Sequence, residues 1–162
     1  MSDITESQQP ASTGPAPAVN LHVVVGYDGS PPALRALDAA IRLMQGRRGA
    51  IEVVYVAHMA AIDMLSADAI VQVEADFDEI EKELRASAAT QLNGTGAAWT
   101  FQRRQGSIPE QLVAATSAIR AAHPGDTTLI IVGSSSHASH RVMGSVAVSL
   151  ARHCPVPVVI VP

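Results

Sequence analysis

Apolar residues run almost unbroken over 21–25, 51–57, 127–132 and 156–161, and these runs are rich in Val and Ile. Short, continuous, β-branched runs predict strands buried on both faces, as in a parallel sheet. Between them the rhythm changes to one apolar residue every three or four positions. Leu34, Leu37, Ala40, Ile41 and Met44 share one face of a helix predicted over 32–45. Ile70, Val73, Phe77, Ile80 and Leu84 do the same for a long helix over 67–92. Segment 98–105 is more amphipathic, with Trp99 and Phe101 on one side, which predicts a strand at a sheet edge. Residues 106–109 turn the chain into a helix that runs to 122, and a last helix covers 144–153. Small and ring residues punctuate the pattern: Ser30 and Pro31 suit a helix cap and first turn, and Gly46, Asn93-Gly94 and Pro124-Gly125 end helices. The order β-α-β-α-β-α-β-α-β predicts an α/β fold, a doubly wound parallel sheet with helices on both faces. Ligands of such sheets bind at the carboxyl ends of the strands where the winding reverses. The turns after the first and fourth strands are therefore the candidate site.

Residues 1–20 break this pattern. Ser, Thr, Gln, Pro, Gly and Ala dominate them, which predicts a disordered tail before one domain over 21–162. Aromatics are only 3% of the chain, so the core is aliphatic. The formal net charge of −4 argues against a general nucleic-acid binder, which needs a basic footprint. The single cysteine, Cys154, allows no internal disulfide and reads as a packing residue. No apolar run approaches the ~20 residues of a membrane span, and the first residues lack a cationic start followed by an apolar stretch. A cytoplasmic location, with no membrane partner, is the expectation.

The turn after the fourth strand carries the most chemistry. Gly133 ends an apolar strand where a ligand can approach the backbone. Gly144-Ser145 opens a helix, whose free N–H groups and dipole favour an anion. Ser145 adds a hydroxyl, and Arg141 a positive charge. The competing reading is that both glycines only permit tight turns and Ser145 only caps the helix. After the first strand, Asp28 offers a carboxylate to a ribose or adenine donor, or to Mg²⁺ through water. Its competing reading is an Asx-turn at the start of the helix. His137, His140 and His153 give a weak zinc spacing that no further ligand completes, so no metal site is assigned. His22 and His58 read as ordinary strand-end residues, and the acidic stretch 74–83 as a solvated helix face. The P-loop and dinucleotide glycine patterns are absent, as is a nucleophile–base–orienter set, so an enzyme is not expected.

Taken together, Val23-Val24-Val25-Gly26-Tyr27-Asp28-Gly29-Ser30, the turn Gly106-Ser107-Ile108-Pro109, Leu129-Ile130-Ile131-Val132-Gly133-Ser134-Ser135, Gly144-Ser145-Val146 and the close His153-Cys154-Pro155-Val156-Pro157 resemble the universal stress protein family over roughly 21–162. The resemblance implies a five-stranded sheet of order 3-2-1-4-5. It implies a nucleotide-binding stress regulator that holds ATP, with Mg²⁺, without rapid turnover, and leaves AMP and cyclic AMP as alternatives. It places Tyr27, Asp28 and Val56 near the adenine and ribose, and Gly133, Ser136, Gly144, Ser145, Val146 and Ala147 near ribose and phosphates. The ATP-binding branch carries Gly, two residues, Gly, nine residues, then Gly-Ser. Here Ser136 stands at the second glycine, and seven residues, 137–143, precede Gly144. A left-handed serine costs ~1–2 kcal/mol against about 8 kcal/mol for a micromolar site. The shorter loop loses up to ~7 Å of contour, for which Arg141 compensates by pairing with phosphate. With the order 3-2-1-4-5, strand 156–161 is an uncharged edge, which predicts antiparallel pairing in a homodimer. The alternative function is a nucleotide-independent interaction protein, acting through that dimer and an unknown protein partner.

Overall fold

In a computed structural model of the chain, residues 19–57, 66–134 and 144–162 are described. The elements are β1 (Leu21–Gly26), α1 (Pro31–Met44), β2 (Gly49–Ala57), α2 (Ala67–Leu92), β3 (Ala98–Gln105), α3 (Ile108–Ala122), β4 (Thr127–Gly133), α4 (Ser145–His153) and β5 (Val158–Val161). All strands pair in parallel, in the order β3-β2-β1-β4-β5. The expected sheet is therefore present. β5 is shorter than the apolar run suggests, because Pro155 and Pro157 offer no N–H and pairing begins only where Val158 lies beside Ile130.

Alternation along the strands divides the core in two. Val23, Val25, Ile51, Val53 and Ile131 face α1 and the end of α2, and pack with Ala36, Leu37, Ala40, Ala88 and Leu92. Val24, Val54, Val56, Ile130 and Val132 face α3 and α4, and pack with Leu112, Ala115, Ala147 and Leu150. Branched aliphatic residues on both faces are what a central parallel strand requires. β1 is the clearest case, with Val23, Val24 and Val25 all fully buried.

The long helix α2 follows its predicted span, and of its predicted stripe Ile70, Val73, Phe77 and Leu84 are half-buried, Leu84 packing on the core, while Ile80 departs. Ile80 is exposed, and the packed positions continue to Ala88 and Leu92. A 26-residue helix is about 39 Å long and outruns the sheet, so only its last turns reach the core. The acidic stretch is not simply solvated either. Arg103 on β3 reaches Glu74, Asp78 and Glu81 of α2 at 3.4, 2.7 and 3.5 Å, and Arg85 of α2 lies over the Phe101 ring. These contacts cover the β3 edge.

Asn20, which composition groups with the tail, belongs to the folded unit. Its N–H and side-chain amide donate to Asp126, and its carbonyl accepts from Thr127 N–H. The expected disorder of the remaining tail falls on residues 1–18, outside the described residues, apart from Val19, which is exposed.

Candidate functional site

A cleft opens where β1 and β4 diverge, with α1 on one face of the sheet and α4 on the other. Its wall includes Tyr27, Asp28, Val56, Gly133, Gly144, Ser145, Val146 and Ala147. These are eight of the ten residues that the sequence singles out, drawn from four separate segments into one site. Ser136 and Arg141, with His137 and His140, lie outside the described residues. His153 is remote, at the end of α4, where its Nδ1 donates to the Ser149 carbonyl.

All four helices start at this end of the sheet, and their first turns differ; that of α2 is capped by Ser66 and carries Asp68. α1 begins Pro31-Pro32, which have no N–H. The next two N–H groups are spoken for, Ala33 by Ser30 Oγ at 3.4 Å and Leu34 by the Ser30 carbonyl at 2.9 Å. α3 places Pro109 and Glu110 in its first turn, so a donor is missing and a carboxylate is present. α4 starts after Gly144 with no capping side chain, no proline and no acid in the first turn. Its orphan N–H groups and the positive end of its dipole face the cleft. Of these first turns, that of α4 is the one whose chemistry suits an anion, and Ser145 stands at its first position with a hydroxyl.

Asp28 makes a local turn and also faces the cleft. Oδ1 accepts from Ser30 N–H at 3.0 Å, which is the Asx-turn, and the exposed carboxylate also lines the cleft. Gly29 continues this turn at φ 76°, a left-handed conformation that favours glycine. Tyr27 is buried below, its hydroxyl 2.9 Å from Ser87 Oγ on α2. That bond ties the floor of the site to the far helix.

Gly133 also has a packing role. A Cβ there would meet Pro32 Cβ at 2.5 Å and press harder still on the Pro32 carbonyl. The missing side chain lets α1 approach β4, and so also sets the shape of the cleft that Gly133 lines.

The sequence reading missed several lining residues, of which Tyr55 is the chemically interesting one. Burial raises the pKa of its phenol above the usual value, with Arg103 opposing and Asp28 adding to the rise. Alternation puts Tyr55 and Val56 on opposite faces of β2. At the last turn of a strand, however, both can border a cleft at the sheet's end. Most of the remaining missed residues, such as Ile108, Leu112 and Val132, are apolar and look like ordinary core in the sequence, and Ser30 reads there as a helix cap.

The family model described as "Universal stress protein family" matches residues 20–162. No curated protein sequence matches the chain. Solved structures do. A protein of the universal stress protein family from Burkholderia pseudomallei is 27% identical with a TM-score of 0.61, covering 87% of this chain and 95% of its own. A universal stress protein in complex with cAMP is 25% identical with a TM-score of 0.56, covering 90% and 99%. A third, from Archaeoglobus fulgidus in complex with dAMP, shares the fold at 18% identity and a TM-score of 0.57, covering 89% and 98%.

Proposed function

This chain belongs to the universal stress protein family, and from that membership we propose that it is a stress-response regulator that holds an adenine nucleotide, ATP foremost, in the cleft between β1 and β4. The observation that carries the reading is the α4 start. It is the one first turn at this edge, among the described residues, with neither a proline, an acid nor a capping side chain. Phosphates fit there. Asp28 and Val56 border the other part of the cleft, where an adenosine would lie. Family members crystallised with cAMP and dAMP support an adenine nucleotide as the ligand class.

The test is calorimetric titration of ATP with Mg²⁺, and of AMP and cyclic AMP, into the wild type and Gly144→Glu. A glutamate at a helix N-terminus does not harm the helix, so the variant stays folded while its carboxylate repels phosphate. Saturable binding to the wild type, weakened at least about tenfold (about 1.4 kcal/mol) in the variant, is expected. Equal binding by both proteins would move the phosphate site elsewhere.

A second reading rests on the other edge of the sheet. β5 pairs only with β4 and leaves Val159 40% exposed. A four-residue strand without charges, VVIV, is poorly protected against edge pairing. Pairing with the same strand of a second copy makes the homodimer, and a protein partner is then the functional ligand if no nucleotide binds.

A further inference from the structure

The opposite end of the sheet holds a cluster that the nucleotide reading does not use. His22 near the start of β1, His123 capping the C-terminus of α3 and Asp126 in the following turn bring one ligand atom each within 4.8 Å of one another. We propose that these three side chains bind a first-row divalent transition ion, Zn²⁺ being the one to test. The site lies about 16 Å along β1 from Tyr27, at ~3.3 Å per residue.

The donor set fixes the class of ion. Two imidazoles and one carboxylate suit zinc and its neighbours, and not Mg²⁺ or Ca²⁺, which take oxygen ligands. Three protein ligands with further positions open is an established arrangement for zinc.

Geometry supports the assignment. His22 Nε2 and Asp126 Oδ2 are 3.1 Å apart. Two ligands at zinc's bond lengths of about 2.0–2.2 Å sit roughly 3.0–3.5 Å from each other. An ion can therefore replace the shared proton with little movement of either group. His22 is buried at 8% exposure and fixed by the central strand. Asp126 is fixed by its neighbour, since Asn20 N–H and Nδ2 donate to it at 3.2–3.3 Å. Outer partners of this kind orient a metal ligand.

His123 supplies the adjustable ligand. Its ring stacks on His22 with centroids 4.5 Å apart and planes 20° from parallel. Stacked rings do not aim their nitrogens at one point, so binding requires the His123 ring to turn. It is exposed and free to do so. Its place at a helix C-terminus adds the negative end of the α3 dipole, which favours a cation. On the same face, the cross-strand neighbour of His22 is Thr128, 6% exposed, whose hydroxyl has no hydrogen-bond partner among the described residues. A hydroxyl so placed suits a water on the metal.

The test is titration of Zn²⁺ by calorimetry, and of Co²⁺ by visible absorption, into chelator-stripped full-length protein. Wild type, His123→Ala and the double variant His137→Ala/His140→Ala are compared. His123 is exposed, so its loss leaves the fold intact, which circular dichroism checks. The expected result is one equivalent per wild-type chain, affinity reduced at least about tenfold in His123→Ala, and no change in the double variant. Histidine resonances of His22 should shift on Zn²⁺ addition in the wild type. Absence of saturable uptake would overturn the proposal. So would uptake unaffected by His123→Ala, or uptake abolished by the loop double variant.

Discussion

Gly133→Ala should destabilise the protein even though the new methyl group lies in a cleft wall. The added Cβ would stand 2.5 Å from Pro32 Cβ and still nearer the Pro32 carbonyl. Neither obstacle is a flexible side-chain end. One is a proline ring and the other is backbone at the start of α1, so relief requires the helix to shift away from β4. Overpacking of this type costs about 1–3 kcal/mol, and the rigidity of the obstacle puts the cost near 3. At about 2–4 °C per kcal/mol for a chain of this size, Tm should fall by about 6–12 °C. Gly144→Ala is the internal control. Gly144 has φ −59° and ψ 156°, which any residue adopts. The loss of a better N-cap and the lower entropy of the unfolded chain nearly cancel there, leaving a net effect within about 1 kcal/mol. Scanning calorimetry on both variants reads the difference. A Gly133→Ala protein as stable as the wild type would refute the claim that this glycine exists for the approach of α1. It also follows that weakened nucleotide binding in Gly133→Ala would reflect a displaced α1, not a lost contact to phosphate.

Two other outcomes are expected. Because Asp126 titrates lower in the fold than its ordinary 3.8, its contribution is full above that value and is lost as pH falls through the folded pKa. Asp126→Asn, kept in chelator, should therefore be less stable at neutral pH and should converge on the wild type in acid. A gap that stays constant with pH would place the effect elsewhere than the charge. Val159→Lys puts a charge on the exposed β5 edge and should convert a dimer to monomer in light scattering, without loss of helical or strand signal. A wild type that is already monomeric, or a variant that remains dimeric, would remove β5 pairing from consideration.

Much of this architecture is legible in the chain because a parallel sheet leaves a strong imprint. Val23-Val24-Val25 and Leu129-Ile130-Ile131-Val132 cannot be amphipathic, so they must be central. The glycine, serine and proline positions between runs mark the turns. The cleft was legible through Asp28, just after β1, and Gly144-Ser145, which open the helix that follows β4. What was not legible is what depends on distance between elements. The sequence could not show that Gly133 abuts Pro32. It could not show that Arg103 gathers three carboxylates from α2. The His22–His123–Asp126 cluster is the clearest instance: His22 lies about a hundred residues from the other two, and the only local cue, a histidine in an apolar strand, has an ordinary explanation. Ile80 failed for a different reason. Periodicity reports which face of a helix is apolar, but not how far along that helix the sheet extends.

The scarcity of aromatic residues gives the molecule a practical property. Both of its tyrosines, Tyr27 and Tyr55, border the cleft, while its single tryptophan, Trp99, sits half-buried near the start of β3, the edge strand. The two chromophore types thus observe separate places. Tryptophan emission should track the unzipping of β3 and the departure of α2 during unfolding, and stay nearly constant when a nucleotide enters. Tyrosine absorbance should change on ligand entry while the tryptophan signal is still. One unlabelled sample would then distinguish filling of the cleft from loosening of the sheet edge.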